Sequence, residues 1–323
     1  MKAAVIFSPG AGQKQHFCAI GEKILRLFGA ENLLTCQGSF GGDYLPGAAV
    51  VEADCNAGYV QTLGNITRAL LARNPALLVS VGGDGIASYI ADAMLTSGNK
   101  VPMMGIAAGT ANVGPIVCIS ADELENCDLS RWQYFTAGAV EVCANGHVGY
   151  AVNDVVIGNT FLGTEDGQVV NLSAEAMALR GEKLVCKAES DICTADFSIT
   201  KNGKAAPCRM KPGQIIISPV DRDRLEGRAV YGALCSAAYT PCKAAVALSE
   251  QVMISAEAED AGMESFCCIE HMLFGPEDEV SITGLTCHAQ LILDGNPYIR
   301  TAETVVLRFL PDLITVAMPL RKG

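Results

Sequence analysis

The chain has 323 residues, of which 50% are hydrophobic and 18% charged, so intrinsic disorder is excluded because there is ample apolar surface to bury. Lys and Arg total 23 against 35 Asp and Glu, a net charge of −12, and such a surface repels nucleic acids and anionic membranes. No apolar run approaches the roughly 20 residues of a membrane span. Because the start lacks a signal-peptide core, we expect a cytoplasmic protein of two domains or one large domain.

Strand and helix patterns alternate from Ala3 to Ile106. Continuous apolar runs predict buried strands, and apolar residues at helical spacing predict helices between them. The strands are predicted at Ala3–Phe7, Leu77–Val81 and Val101–Ile106, and the helices at Phe17–Phe28, Val60–Leu71 and Ile86–Met94. Short glycine turns join these segments, which is typical of a parallel, Rossmann-like sheet. Residues 1–130 are therefore predicted to form an α/β domain.

The pattern changes from about residue 136 to β-rich segments separated by tight-turn dipeptides. These are Asn145-Gly146, Asn202-Gly203 and Asp294-Gly295, each of which readily takes up the positive φ angles that a two-residue hairpin requires. One helical stretch is predicted near Leu172–Leu179. Residues 131–323 are therefore predicted to form a mostly antiparallel, β-rich domain.

The 14 cysteines are spread along the chain with no C-x-x-C pair, and the four histidines stand in no ligand spacing. We interpret the cysteines as reduced thiols rather than as disulfides or a zinc site. The pattern assigns no metal-ligating residue.

Gly82-Gly83-Asp84-Gly85 stands between a predicted buried strand and a predicted helix. Glycines there leave backbone N–H groups unshielded beside a helix N-terminus, which favours phosphate. An acid beside phosphate adds repulsion unless it takes a proton or holds a metal ion, so Asp84 indicates phosphoryl transfer. The alternative is a plain glycine turn in which Asp84 caps the helix.

Two further segments carry polar groups that could bind a ligand. The stretch from Gly105 to Gly114 follows a strand and offers Gly109, Thr110 and Asn112, which could bind phosphate or ribose oxygens where neighbouring parallel strands end. Alternatively, it is a glycine-rich crossover. Residues 151–157 are predicted to form one apolar strand with Asn153 and Asp154 inside it, so these two residues either face a ligand or bond nearby loops.

In this order, the GGDG, G-T-x-N and N-D motifs resemble the ATP-NAD kinase and diacylglycerol kinase superfamily. The opening Phe7-Ser8-Pro9-Gly10-Ala11-Gly12 resembles its N-P-x-x-G loop. The segments Asn153–Gly158, Phe161–Gly163 and Leu293–Gly295 are most similar to NAD kinase-like proteins of the acetoin-catabolism protein X (AcoX) type. The likeness covers most of the chain in order and is specific at GGDG and N-D.

The resemblance implies an α/β domain and a β-rich domain with the active site between them. It implies that Asp84 is the base, or a metal-linked acid, for attack of the ribose 2′-hydroxyl of NAD on the γ-phosphate of ATP. It also implies self-association through the β-rich domain. The metal that we expect is Mg²⁺, held mainly by substrate phosphates with few protein ligands. The implied nucleotide contacts are Gly82, Gly83 and Gly85 at the phosphates, Gly109, Thr110 and Asn112 near the nucleotide, and Asn153 and Asp154 at the adenosine part of NAD.

We therefore expect an ATP-dependent kinase that acts on a nucleotide, with NAD as acceptor and NADP as product. The alternatives are a kinase of another small-molecule or lipid acceptor, and a non-catalytic, nucleotide-binding accessory protein of the AcoX type. Two differences from NAD kinases bear on this choice. Ile86 replaces the threonine of their GGDGT motif, and their G-S-T-A-Y stretch is matched only weakly by Gly232–Tyr239.

Overall fold

The structure is a computed structural model that describes residues 1–11, 14–56, 58–108, 114–165, 168–220, 243–257, 267–300 and 304–321. The chain divides into two compact units: unit 1 is Met1–Ala137 with Asp312–Gly323, and unit 2 is Gly138–Pro311. Residues 312–323, which the sequence pattern assigned to the second domain, thus group with unit 1.

Unit 1 contains a parallel sheet whose strand order is β3-β2-β1-β4-β5-β6. The strands are β1 Ala3–Phe7, β2 Leu33–Cys36, β3 Ala49–Val51, β4 Leu77–Gly82, β5 Met103–Ala107 and β6 Val117–Ser120. The helices are α1 Phe17–Phe28, α2 Tyr59–Leu71 and α3 Asp84–Thr96. Short 3-10 turns cover Lys14–His16, Ala30–Asn32, Gly38–Phe40 and Glu123–Asn126. The predicted parallel α/β architecture is confirmed.

Strand β1 is buried on both faces of the sheet. Val5 and Phe7 pack in the same cluster as the apolar side of α1, while Ala4 and Ile6, which alternate with them, are equally inaccessible. A strand covered on both sides needs no polar face, which is why its sequence is continuously apolar. Such strands place the chain's polar groups at the ends of the sheet.

Unit 2 is built from antiparallel strands. They are β7 Cys127–Ala144, β8 His147–Ala151, β9 Val155–Gly158, β10 Thr160–Glu165, β11 Gln168–Ser173, β12 Cys193–Lys201, β13 Lys204–Ala205, β14 Gln214–Val220, β15 Lys243–Ser249, β16 Ile269–Phe274, β17 Glu279–Leu285, β18 Gln290–Leu293, β19 Asn296–Arg300 and β20 Thr304–Arg321. The first part of β7 and the last part of β20 lie in unit 1, where Val316 pairs with Met103 of β5. The helix α4, Ala174–Arg180, follows β11 as predicted.

Two sets of strands in unit 2 share one apolar core. Six strands form a sheet in the order β16-β15-β14-β9-β18-β19, and β12, β17 and the first part of β20 pair in a second set. Ile157 and Ile217 of the first set cluster with Val280 and Leu307 of the second. Side chains from two strand layers that interdigitate in this way define a β-sandwich, so the predicted β-rich domain is confirmed.

The three predicted tight turns join β7 to β8, β12 to β13 and β18 to β19. Both residues of each have positive φ: 51° and 76° at Asn145-Gly146, 54° and 72° at Asn202-Gly203, 50° and 75° at Asp294-Gly295. Asn, Asp and Gly tolerate this conformation, so the dipeptides fix where each hairpin turns.

Asp278 fastens the β12–β13 hairpin to the start of β17. Its carboxylate accepts the backbone N–H of Gly275 at 2.7 Å, the ammonium of Lys201 at 2.9 Å and the side-chain amide of Asn202 at 2.8 Å. These donors, led by the Gly275 N–H, hold the pKa of Asp278 well below its usual range. The carboxylate therefore stays charged in the folded protein at pH values where it is protonated in the unfolded chain.

Candidate functional site

The sheet of unit 1 changes direction between β1 and β4. From β1 the chain continues to β2 and β3 on one side, and later to β4 and β5 on the other. In open α/β sheets, ligands bind outside the carboxyl ends of the strands at such a switch point. Ser8 follows β1 there and Gly82 ends β4, so the GGDG turn (Gly82–Gly85) stands at the position where this architecture places ligands.

The GGDG turn leads directly from β4 into α3, as predicted. A Cβ added to Gly82 would lie 2.7 Å from Cγ2 of Ile86 and 2.9 Å from Cβ of Ser8, so the close approach of these segments requires glycine. Gly83 is extended at the N-cap position of α3, and no side chain of the described residues caps the helix. Its first N–H groups and the positive end of its dipole are thus available to an anion.

Asp84 is the first residue of α3 and does not occupy the capping position, which Gly83 takes. Its Oδ2 accepts the backbone N–H of Gly114 at 2.9 Å. The carboxylate therefore joins the GGDG turn to the end of the Gly105–Gly114 stretch. The alternative of Asp84 as a helix cap is not what the structure contains.

The two glycine-containing segments begin side by side. Strand β5 lies next to β4 in parallel register, and the N–H of Ala108 donates to the carbonyl of Gly82 at 2.8 Å. This matches the expectation that both segments open on one edge of the sheet. Gly109, Thr110 and Asn112, the predicted nucleotide contacts of the second segment, lie outside the described residues.

Position 86 faces the interior of unit 1. Ile86 is 4% exposed, and its Cγ2 is the atom that a side chain at Gly82 would meet first. The hydroxyl missing from the GGDG-Ile86 sequence is therefore replaced by a methyl group that fills the core beside β4. Gly85, the neighbouring predicted phosphate contact, is the second residue of α3.

In unit 2, Asn153 and Asp154 form a bend between β8, which ends at Ala151, and β9, which begins at Val155. The prediction that they lie inside one continuous strand is wrong. The carboxylate of Asp294 accepts the backbone N–H groups of Val152 at 2.9 Å, Asn153 at 2.6 Å and Asp154 at 3.0 Å. These N–H groups are consequently withdrawn from strand pairing, and the apolar run is split.

The side chain of Asn153 is buried within this bend. Asn153 is 6% exposed, and its Oδ1 has no hydrogen-bond partner among the described residues. Its carbonyl accepts the hydroxyl of Ser218 at 2.5 Å, and the carbonyl of Asp154 accepts the N–H of Asp294 at 2.8 Å. A buried amide oxygen without a donor is costly in a folded protein, so Asn153 offers an acceptor that a ligand could satisfy.

Asp294 organises this bend, and the sequence pattern did not single it out as a functional residue. The Asp-Gly dipeptide predicted a turn, and the turn is present, but the carboxylate also organises the Asn153–Asp154 bend. Asp294 is 8% exposed. The available signal was an acid at a hairpin turn directly after the apolar strand Leu291–Leu293, where burial requires hydrogen-bonding partners.

Within the described ranges, no three His, Cys, Asp or Glu residues lie close enough together to hold a metal ion. No disulfide joins the cysteines in that part of the chain. None of its helices is long and apolar enough to cross a membrane.

Comparisons with known proteins give the fold a wider context. No protein-family model matches the chain. A protein of Archaeoglobus fulgidus that is described as uncharacterized is 29% identical over 192 residues, which are 59% of this chain and 58% of that protein. The matched region thus spans less than two thirds of either protein.

Two solved structures cover nearly the whole chain. Yeast NADH kinase complexed with NADH has a TM-score of 0.55 at 11% identity, covering 100% of this chain and 84% of that one. A diacylglycerol kinase from Bacillus anthracis has a TM-score of 0.53 at 12% identity, covering 98% and 96%. The chain therefore has the fold shared by NAD(H) kinases and diacylglycerol kinases, as the motifs predicted.

Proposed function

We propose that this protein is an ATP-dependent phosphotransferase with an alcohol acceptor, and that the acceptor is the 2′-hydroxyl of NAD. The observation that carries the proposal is the GGDG turn at the switch point of the unit 1 sheet. The turn leads into the uncapped N-terminus of α3, and Asp84 is the first residue of that helix. The fold shared with yeast NADH kinase supports a nicotinamide dinucleotide as acceptor.

Phosphoryl transfer demands positioning and charge stabilisation more than covalent chemistry. The N–H groups at the start of α3, with Gly82, Gly83 and Gly85, would bind the phosphates. The acceptor oxygen forms a bond to the γ-phosphorus, the bond from phosphorus to ADP breaks, and the hydroxyl proton passes to Asp84. The hydrogen bond from Gly114 to Oδ2 of Asp84 fixes the orientation of that carboxylate.

The remaining predicted contacts receive roles by position in the motifs. Asn153 and Asp154 would bind the adenosine part of NAD, and the unpartnered Oδ1 of Asn153 would accept a hydrogen bond from the adenine amino group or a ribose hydroxyl. Gly109, Thr110 and Asn112 would lie near the nucleotide.

The residues at the GGDG turn fit Mg²⁺ bound mainly through substrate phosphates. Such a site needs few protein ligands, and Asp84 would supply one where it acts as a metal-linked acid rather than as the base. When bound, the ion would neutralise charge that develops on the transferring phosphoryl group.

A second candidate is a nucleotide-binding protein without turnover, of the AcoX accessory type. The observation that favours it is the burial of Ile86, because the phosphate turn then lacks a hydroxyl at that position. A third possibility retains the kinase chemistry with a lipid or another alcohol as acceptor, which the match to a diacylglycerol kinase supports.

The test is a coupled assay for NADP with purified protein, ATP, Mg²⁺ and NAD, run in parallel with Asp84→Asn. NADP formation that falls by roughly 10²-fold or more in the variant, as expected for loss of a general base, would support the proposal. If neither protein forms NADP but ATP raises the melting temperature, the acceptor differs or turnover is absent, and ADP release with other alcohols separates these cases. Indifference of the melting temperature to all nucleotides would contradict every form of the proposal.

A further inference from the structure

A pair of hydroxyl groups lies beside the GGDG turn in unit 1. The hydroxyls of Ser8 and Tyr59 are 3.1 Å apart, and either can donate to the other. Ser8 follows β1, and its N–H donates to the carbonyl of Val81 at 2.9 Å. Its Cβ is 2.9 Å from where a side chain at Gly82 would begin. Ser8 therefore packs directly against the first glycine of the turn, and Tyr59 is hydrogen-bonded to Ser8.

Tyr59 reaches this position from a different part of the fold. It is the first residue of α2, and its ring packs edge-to-face on Tyr89 of α3 with centroids 6.1 Å apart. Tyr59 is nevertheless 42% exposed. Partial burial raises the pKa of Tyr59 above the usual value, so the phenol keeps its proton at neutral pH and remains a donor.

The hydrogen-bond capacity of the pair is not used up. Two hydroxyls carry two protons, and their mutual bond uses one. No other side-chain hydrogen bond of Ser8 or Tyr59 occurs within the ranges that the structure describes. Ser8 is 7% exposed, whereas Tyr59 is 42% exposed. When Ser8 donates to Tyr59, the phenol O–H is left to donate outwards.

Two glycines next to the pair in the chain are not crowded by the described residues. A Cβ built on Gly58, which precedes Tyr59, or on Gly10, which follows Ser8 by two residues, would meet no atom of that part of the chain within 4 Å. The uncapped start of α3 lies at the same edge of the sheet. The phenol donor and the helix N-terminus thus lie at one edge of the sheet, where positive potential favours an anion.

We propose that Tyr59 is a nucleotide-contacting residue whose hydroxyl donates to a phosphate oxygen, and that Ser8 is the residue that positions it. This inference rests on the proposed function, because it requires a phosphorylated nucleotide at the GGDG turn. It assigns the phosphate hydroxyl donor to the start of α2, in place of the hydroxyl that Ile86 removes from α3.

The experiment measures binding of ATP with Mg²⁺, and separately of adenosine, to four proteins. They are the unmodified chain, Tyr59→Phe, Ser8→Ala and Tyr134→Phe. Tyr134 is the matched control, because it is an exposed tyrosine of the same unit, 55% exposed, whose ring stacks on Trp132. Melting temperatures without ligand establish that each variant is folded.

Tyr59→Phe should weaken ATP about tenfold, which is the loss of one hydrogen bond to a charged group. Ser8→Ala should weaken ATP about threefold because the phenol loses its fixed orientation. Adenosine binding and the Tyr134→Phe control should be unchanged, and KM for ATP should rise without a matching fall in kcat.

Unchanged ATP affinity in Tyr59→Phe, with ATP binding intact in the unmodified chain, would overturn this inference and leave the proposed function standing. Equal weakening of ATP and adenosine would also overturn it, because the phenol would then contact the nucleoside or support packing. Failure of the unmodified chain to bind ATP would instead remove the proposed function on which the inference rests.

Discussion

Replacing Asp294 by asparagine isolates the charge that holds the Asn153–Asp154 bend. The two side chains have nearly the same shape, and asparagine tolerates positive φ as well as aspartate does. The backbone angle of 50° at this position therefore costs the variant nothing. What changes is that one of two carboxylate oxygens becomes an amide nitrogen, which can donate but cannot accept.

The size of the effect follows from the three N–H groups that the carboxylate accepts. Oδ1 receives two of them, from Asn153 and Asp154, and Oδ2 receives the third, from Val152. In its best orientation, the asparagine oxygen still accepts the N–H groups of Asn153 and Asp154, and its NH₂ group faces the N–H of Val152. One buried N–H then loses its partner and the remaining bonds lose their charge, so we expect unfolding to become about 2 kcal/mol easier.

Asp294→Ala removes all three bonds and should cost about 4 kcal/mol, which is in the range for a broken buried network. For a domain of this size each kcal/mol lowers the melting temperature by roughly 2–4 °C. The assay is thermal unfolding of both variants beside the unmodified protein at pH 7. If Asp294→Asn melted within about 1 °C of the unmodified chain, the reasoning that the charge organises the bend would be refuted.

Three other variants or treatments probe separate features of the fold. Gly82→Ala should be destabilised by about 1–3 kcal/mol because its methyl has no room, whereas Gly158→Ala, whose methyl would lie 3.6 Å from its nearest neighbour, should melt close to the unmodified protein. Asp278 has a lowered pKa in the fold, so its carboxylate stabilises the protein above about pH 5 and loses this contribution between about pH 5 and pH 2. In urea titrations, Asp278→Asn should be less stable than the unmodified protein at pH 7, and its free energy of unfolding should fall less between about pH 5 and pH 2. Burial raises the pKa of Cys193 to about 12, so iodoacetamide at pH 8 followed by peptide mass mapping should find the exposed Cys268 alkylated well before Cys193, and simultaneous labelling would contradict this.

The elements with strong internal patterns were predictable. Strand β1 is apolar at every position because both of its faces are covered, and α1 carries apolar residues at helical spacing up to Gly29, whose φ of 77° ends the helix. By contrast, β3 is three residues long and has two exposed positions, so neither its length nor its hydropathy distinguishes it from a loop. Its place in the sheet comes from pairing with β2, which is a long-range contact that local pattern does not encode.

The GGDG turn of unit 1 and the Asn153–Asp154 bend of unit 2 differ in the same way in how far the sequence predicts them. The GGDG turn was predictable because its glycines, its acid and its position between a strand and a helix are all local. The role of Asp294 was not, because its carboxylate acts on residues some 140 positions earlier in the chain. The bend at Asn153 was unpredictable for the same reason. The apolar residues on either side of it are typical of one strand, and only the long-range hydrogen bonds to Asp294 divide that strand.

Because Ile86 offers no hydroxyl to phosphate, the role proposed for Asp84 and the role proposed for Tyr59 can be tested independently. A threonine hydroxyl at that position would be carried by the same helix as Asp84, whereas Ser8 follows β1 and Tyr59 is the first residue of α2. The donor that we assign to phosphate is therefore on a different element from Asp84, the carboxylate that we propose as the base. Interactions made equally with substrate and transition state change KM without changing kcat. Asp84→Asn should lower kcat, whereas Tyr59→Phe should raise KM for ATP. If the protein binds ATP through Tyr59 but transfers no phosphate to any acceptor, it is a nucleotide-binding protein that retains the phosphate site of a kinase.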